Sequence, residues 1–297
     1  MKTLVTGWFS FEQMGATAGD LLSCDLTCRW LTEAGHEYDV AYAPPFTGGV
    51  NWREVDPQLY DTLVFVCGPF GENELIREFL DRFGHCRKLG LNLSMLQSLS
   101  EFNPFETLLE RDSARSARPD ISFAAKGTRV PIIGVVLVHP QEEYGAKSQH
   151  TVANQAVERL LASREIAAVP IDTRLDENST GLRTPAEVES LIASMSAVVT
   201  TRLHGMVMSI KNGVAPLVID PVAGGAKVMR QAQTIGWPVA FSVDELDDAK
   251  LSEALSYCLS DEARVKAGLC ADAARLTVDG VRKQFVDAAR AVRTGGR

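Results

Sequence analysis

Residues 198–228 read VVTTRLHGMVMSIKNGVAPLVIDPVAGGAKV. A β-branched run ends in Thr200-Thr201, and Arg202-Leu203-His204-Gly205 opens a stretch of helical spacing that continues to Lys211. A second apolar run, Ala215–Ile219, follows. Asp220-Pro221-Val222-Ala223-Gly224-Gly225 then leads into another helix over Ala226–Ile235. Strand, helix, strand and helix in this order are the units of a parallel sheet with helical crossovers. Ligands of such sheets gather at the carboxyl ends of the strands, which is where both loops of this segment fall.

The same alternation extends in both directions. Strands are expected at Lys2–Thr6, Tyr38–Ala43, Thr62–Cys67 and Leu89–Leu93, with helices over Leu21–Leu31 and Glu74–Arg82 and a loop at Gly68-Pro69-Phe70-Gly71. After the polar segment Glu110–Pro119 (ERDSARSARP) the pattern restarts with strands Pro131–Val138, Ile166–Ile171, Ala197–Thr201, Ala215–Ile219 and Val239–Ser242. Helices are expected over Val152–Leu161, after a Thr184 cap with Pro185 at the first helical position, and from Asp244 onwards. The fold class is therefore α/β: two Rossmann-like domains, residues 1–120 and 121–297, with mainly parallel sheets facing a cleft. The break is expected near Ser113–Ala124, and the C-terminal helix is expected to return onto the first domain.

Composition narrows the functions. Of 297 residues, 30 are Lys or Arg and 38 Asp or Glu, a net charge of −8, so no basic stripe for nucleic acid is expected. Aromatic residues at 7% argue against a base-stacking surface. No apolar run approaches the ~20 residues of a membrane helix, and the N-terminus does not read as a signal peptide. The six cysteines lack zinc or disulfide spacing and read as buried, reduced thiols of a cytoplasmic protein with no metal. No G-x-G-x-x-G after a strand, P-loop or G-x-S-x-G occurs, and no cofactor is implied.

Arg202 and His204 stand two residues apart at a strand end, on a helix N-terminus whose N–H groups and dipole favour a small anion. Arg202 offers a fork for carboxylate or phosphate, and an imidazole at position 204 can donate a proton. The plain alternative is a structural ion pair for Arg202 and a capping contact for His204. The next loop repeats the chemistry: Gly224 and Gly225 let backbone N–H groups approach an anion, and Lys227 adds a charge.

These residues resemble the polysaccharide pyruvyl transferases, through the strand–Arg202-Leu203-His204-Gly205–helix block and the Asp220-Pro221 loop followed by Lys227-Val228. Arg111-Asp112-Ser113, Pro119-Asp120 with Phe123, Asp61–Gly71, and Gly7 with Gly19-Asp20 are similar to further family segments. The resemblance implies two Rossmann-like domains of glycosyltransferase-B type. It also implies transfer of the pyruvyl group of phosphoenolpyruvate to a hydroxylated, sugar-like acceptor, giving a ketal and free phosphate in polysaccharide biosynthesis. It implies donor-site roles for His204 and Arg202 and an acceptor side in the first domain; the residues themselves add Lys227, Gly224, Gly225, Leu203 and His139 as expected substrate contacts.

Two departures stand out. The family's compact Gly-Asn-x-Gly-Asp loop is replaced by the longer 11–20 segment. Its arginine after the strand near 132–138 is replaced by His139 and Pro140, leaving Lys147, Arg174 or Arg183 to supply the cation. Competing readings are a glycosyltransferase of the same fold using a nucleotide sugar, and a non-catalytic relative that binds a small anion.

Overall fold

The computed structural model describes residues 2–139, 145 and 147–294. The chain divides into two compact units at Thr128/Arg129. The first contains β1 (Lys2–Thr6), α1 (Ala18–Glu33), β2 (Glu37–Val40), β3 (Tyr60–Phe70), α2 (Glu74–Arg82), β4 (Arg87–Met95) and β5 (Thr107–Leu109). Its sheet has the order β2-β1-β3-β4-β5, every pair parallel.

The second unit contains β6 (Ile132–Val136), α3 (His150–Ala162), β7 (Ala167–Pro170), α4 (Pro185–Ala193), β8 (Ala197–Thr200) and α5 (Leu203–Lys211). It continues with β9 (Pro216–Asp220), α6 (Lys227–Ile235), β10 (Ala240–Ser242), α7 (Asp248–Cys258) and α8 (Asp261–Thr294). Its sheet, β10-β9-β8-β6-β7, is again wholly parallel. Both sheets therefore wind alike: the first strand lies between the second and the third, and the direction of winding reverses at β1/β3 and at β6/β8. Such reversal points open a crevice at the carboxyl edge. The expected α/β class with two parallel sheets holds.

The sequence explains these layers. β8 and β9 are buried along their whole length, as strands covered by helices on both faces must be, and so read as unbroken apolar runs. α4 begins as expected: Thr184 Oγ1 accepts from the Glu187 N–H (3.2 Å), and Glu187 answers by accepting from the Thr184 N–H (3.1 Å).

Four expectations need correction. Gly68-Pro69-Phe70 continue β3 rather than forming a loop. Cys67 and the facing Asn92 both take left-handed backbone (φ 67° and 59°), and pairing resumes beyond them with Gly68 opposite Leu93. β5 was not anticipated; three residues between Glu106 and Glu110 carry too little pattern. The polar segment from Glu110 to Pro119 closes onto the first unit, with Glu110 buried and held by Arg115 through two contacts of 2.8 Å. The helical tail is interrupted at Leu259-Ser260 and preceded by a short turn at Val243–Glu245. Ala263, Ala267, Cys270 and Ala271 of α8 join the second unit's core.

The first unit's core is aromatic. Phe79 packs edge-on against Trp52 (5.2 Å, 87°) and Phe11 (5.4 Å, 80°), and it is fully buried. Phe79→Ala is expected to lower stability by about 3–5 kcal/mol, read from the shift in urea midpoint. A loss below about 1 kcal/mol would show that the cluster tolerates collapse around the missing ring.

Candidate active site

The end of β8 is stitched to β6 by two buried hydroxyls. Thr200 Oγ1 donates to Val136 O (2.9 Å) and accepts from the Arg202 N–H (2.9 Å). Thr201 Oγ1 accepts from the Val138 N–H (2.8 Å). α5 then starts at once, pressed against both strands. A Cβ on Gly205 would lie 2.3 Å from Thr200 Oγ1 and 2.8 Å from Val136 Cγ1, so the position admits only glycine without displacement. The glycine of the Arg-Leu-His-Gly block is thus a packing requirement of this strand–helix junction.

At the mouth of this junction lies a cavity of about 320 Å³, lined by Arg202, Leu203, His204, Asp220 and Lys227 with Val138 among the apolar residues. The structure brings Arg202, Leu203, His204 and Lys227 together around one space. Arg202 is the N-cap residue of α5, but its side chain caps nothing, and neither does His204. The His204 side chain is exposed and has no hydrogen-bond partner among the described residues. The first-turn N–H groups of α5 have no intrahelical acceptor and leave partial positive charge at the pocket.

Asp172, two residues beyond β7, organises the cations. Its Oδ1 lies 3.2 Å from Arg202 Nη1, and its Oδ2 lies 3.3 Å from His139 Nε2. Thr173 Oγ1 accepts from the same Arg202 nitrogen at 3.1 Å. The Asp172 carboxylate is almost completely buried. Burial alone would raise its pKa, but the N–H groups of Arg174 and Ser179, with His139 and the Ser179 hydroxyl, outweigh it and hold the acid at about 2. Arg202 is therefore ion-paired through one nitrogen while still lining the cavity. Sequence reasoning passed over Asp172; the signal available was a carboxylate directly after an expected strand, on the ligand side of the sheet.

The second loop behaves differently from expectation. Asp220 is buried, and its carboxylate accepts from the N–H groups of Val222 (3.1 Å), Ala226 (2.6 Å) and Met229 (3.0 Å). It therefore occupies the N-terminus of α6, where an anion was expected. Gly224 and Gly225 do not line the cavity: the Gly224 N–H donates to Asp244 Oδ2 (2.6 Å) and the Gly225 N–H to Val222 O (2.9 Å). Both need left-handed backbone (φ 77° and 72°), which is why glycine stands there.

His139 borders a neighbouring cavity of about 350 Å³ with Asp172 and Ser179, rather than the one holding His204. Pro140 lies outside the described residues. Of the residues expected to replace the missing arginine, Arg174 pairs with Asp176 (2.6 Å) and Arg183 with Glu187 (3.6 Å). Lys147 is different. Its carbonyl accepts from the Ala223 N–H (2.9 Å), which brings its backbone alongside the Val222 wall of the cavity.

In the first unit the family-like residues make local contacts. Asp20 accepts from the Thr17 N–H (2.7 Å) at the start of α1, and Arg111 pairs with Asp120 (2.9 Å). A Cβ on Gly7 would meet the Val66 carbonyl at 2.7 Å. Five of the six cysteines are buried and Cys28 is half-buried; all are free thiols. Among the described residues no cluster of His, Cys, Asp or Glu is disposed to hold a metal ion. No helix among them is long and apolar enough to cross a membrane.

The low pKa of Asp172 has a pH signature. A depressed carboxylate contributes stability that is present above its unfolded value near 3.8 and lost as pH falls toward about 2. Asp172→Asn should lower stability at pH 7 by on the order of 2 kcal/mol. The gap between parent and variant should shrink as pH drops from about 4 to about 2. Urea unfolding followed through Trp237, the second unit's buried tryptophan, measures it. A gap that does not change with pH would mean that the carboxylate's charge is not what holds the loop.

No curated protein sequence matches the chain. Solved structures align along most of its length at low identity and loose superposition. The spinosyn rhamnosyltransferase SpnG complexed with thymidine diphosphate is 14% identical over 92% of this chain and 95% of that one, with a TM-score of 0.32. The glycotransferase of kitacinnamycin is 12% identical over 95% and 98%, at 0.35. UDP-GlcNAc 2-epimerase from Methanocaldococcus jannaschii is 10% identical over 89% and 94%, at 0.34. Residues 118–221, which hold β6 to β9 with Asp172, Arg202 and His204, match the family model of the polysaccharide pyruvyl transferases, the family that the Arg-Leu-His-Gly block resembles.

Proposed function

We propose that the chain transfers the pyruvyl group of phosphoenolpyruvate to two hydroxyls of a sugar-like acceptor, with the cavity at the end of β8 as the donor site and the first unit serving the acceptor. The observation that carries this reading is the gathering of Arg202, His204 and Lys227 around one small cavity. The family match over 118–221 supports it; Lys227 lies just beyond that span.

The donor bears a carboxylate and a phosphate on a three-carbon frame, so its site needs cations disposed around a proton donor. In this reading Arg202, steadied through one nitrogen by Asp172, turns the rest of its fork to the anion, and Lys227 adds a point charge. Lys147 stands in for the missing arginine. His204 is the acid. Protonation of the methylene carbon makes the adjacent carbon electrophilic, and one acceptor hydroxyl adds there. The second hydroxyl then displaces phosphate and closes the ketal. Of the two hydroxyl protons, one replaces the proton given to carbon and the other leaves with phosphate, so the imidazole ends the cycle as it began.

Phosphate release from phosphoenolpyruvate across a panel of sugar acceptors tests the reading. His204→Ala should cut turnover by about 10²–10⁴-fold with the fold intact. Arg202→Lys should not be a mild change, because an ammonium cannot reproduce a bidentate fork. Lys227→Ala should raise the donor KM more than it lowers kcat, since its charge acts on ground and transition states alike. Near-parent turnover of His204→Ala would remove the acid assignment. Consumption of a nucleotide sugar with no release from phosphoenolpyruvate would replace pyruvyl transfer by glycosyl transfer.

A further inference from the structure

The first unit has its own cavity, of about 520 Å³, at the place that corresponds to the Arg202 cavity in the second. Its walls come from the residues after β1 (Trp8), the end of β3 (Pro69) and the residues after β4 (Leu96, Gln97). That is the reversal point β1/β3, just as the Arg202 cavity lies at β6/β8. The same architecture carries different chemistry: among the described residues no lysine or arginine lines this cavity, and the charged group at its edge is the Glu72 carboxylate.

Its surface is built to a pattern. Trp8, Met14, Pro69 and Leu96 supply an apolar wall, and Trp8 is fixed by its indole N–H donating to Pro69 O (2.8 Å). Polar groups stand beside it in defined orientations. Gln97 Oε1 accepts from the Glu72 N–H (2.7 Å), and Asn73 Oδ1 accepts from the Ile76 N–H (2.9 Å) at the start of α2. Because both partners are N–H groups, each amide must present its oxygen to the backbone, which leaves both NH₂ groups as donors. Glu72, salt-bridged to Arg77 at 3.0 Å, is an acceptor only. Two neutral donors and one carboxylate acceptor beside an apolar wall suit hydroxyl groups, which both donate and accept, on a ring with an apolar face. Among the described residues the lining holds no cation for an anion to meet, and Arg77, which lies outside it, is taken up by Glu72.

We infer that the cavity formed by Trp8, Met14, Leu96, Glu72, Asn73 and Gln97 is a second ligand site, for an uncharged, hydroxylated ring compound with an apolar face. That this ligand is the acceptor rests on the transfer reading above; that it binds here does not. The loop carrying Met14 and Gly15 is the one in which the sequence departs from the compact glycine loop of the family it resembles, and it forms one wall.

The chain has four tryptophans, so its indole ¹H–¹⁵N spectrum contains four signals, and Trp8→Phe identifies the one from this cavity. The probes are the phenyl glycosides of glucose, galactose and mannose at millimolar concentration, with inorganic phosphate and phosphoenolpyruvate as anionic controls. At least one phenyl glycoside should shift the Trp8 signal saturably, and neither anion should. Gly15→Leu provides the second arm. A Cβ at Gly15 meets nothing within 4 Å, so the side chain can enter the cavity without disturbing the fold. It should weaken the response at least about tenfold. The inference is overturned if no glycoside moves the signal, if phosphate moves it equally, or if the Gly15→Leu response matches the parent. A Trp8 response kept in a protein that fails to bind phosphoenolpyruvate would sink the transfer reading and leave this site standing.

Discussion

One buried carboxylate determines how the cationic end of the second unit is arranged. Asp172 receives two backbone N–H groups and one hydroxyl from its own loop and reaches Arg202 and His139 with its two oxygens. A buried charge is tolerated only when it is paired and fully hydrogen-bonded, and this one is both. Arg202 is the N-cap residue of α5, so the guanidinium that Asp172 holds lines the same cavity as the first turn of that helix. The threonine stitches below and the missing Cβ at Gly205 set the height of the helix; Asp172 sets the position of the cation above it.

The two units show how one winding carries two chemistries. Both reverse strand order next to their first strand, and both hold a cavity there. In the second unit Arg202, His204 and Lys227 line the cavity beside the Asp220 carboxylate, which is bound by backbone N–H groups; in the first the lining holds a pinned indole, a carboxylate and two oriented amides. A chain of net charge −8 repels small anions at long range, so anion binding has to come from a local concentration of cations. The described structure places such a group at the end of β8, which agrees with what the proposed donor requires.

Much of this was legible in the sequence, for reasons that can be named. The stretch from Val198 to Val228 alternates between buried strand and amphipathic helix so regularly that β8, α5, β9 and α6 could be placed from period alone. The gathering of Arg202, His204 and Lys227 followed from where parallel sheets keep their ligands. What escaped depended on contacts between residues distant in sequence. Asp172 gains its meaning from Arg202, thirty residues later. Whether Gly224 and Gly225 offer free N–H groups depended on Asp244 and Val222, and the N-terminus of α6 was already filled by Asp220. The extension of β3 through Phe70 required two paired left-handed residues, which local pattern does not report.

The central claim is that one cavity recognises carboxylate and phosphate together on a single small donor. Calorimetric titration of the full chain with phosphoenolpyruvate, alongside pyruvate and inorganic phosphate separately, tests it most directly. The account predicts that phosphoenolpyruvate binds with clearly higher affinity than either fragment, because two anionic groups are held by one preorganised set of cations. Equal affinity for phosphoenolpyruvate and phosphate, or no binding of phosphoenolpyruvate at all, would contradict it.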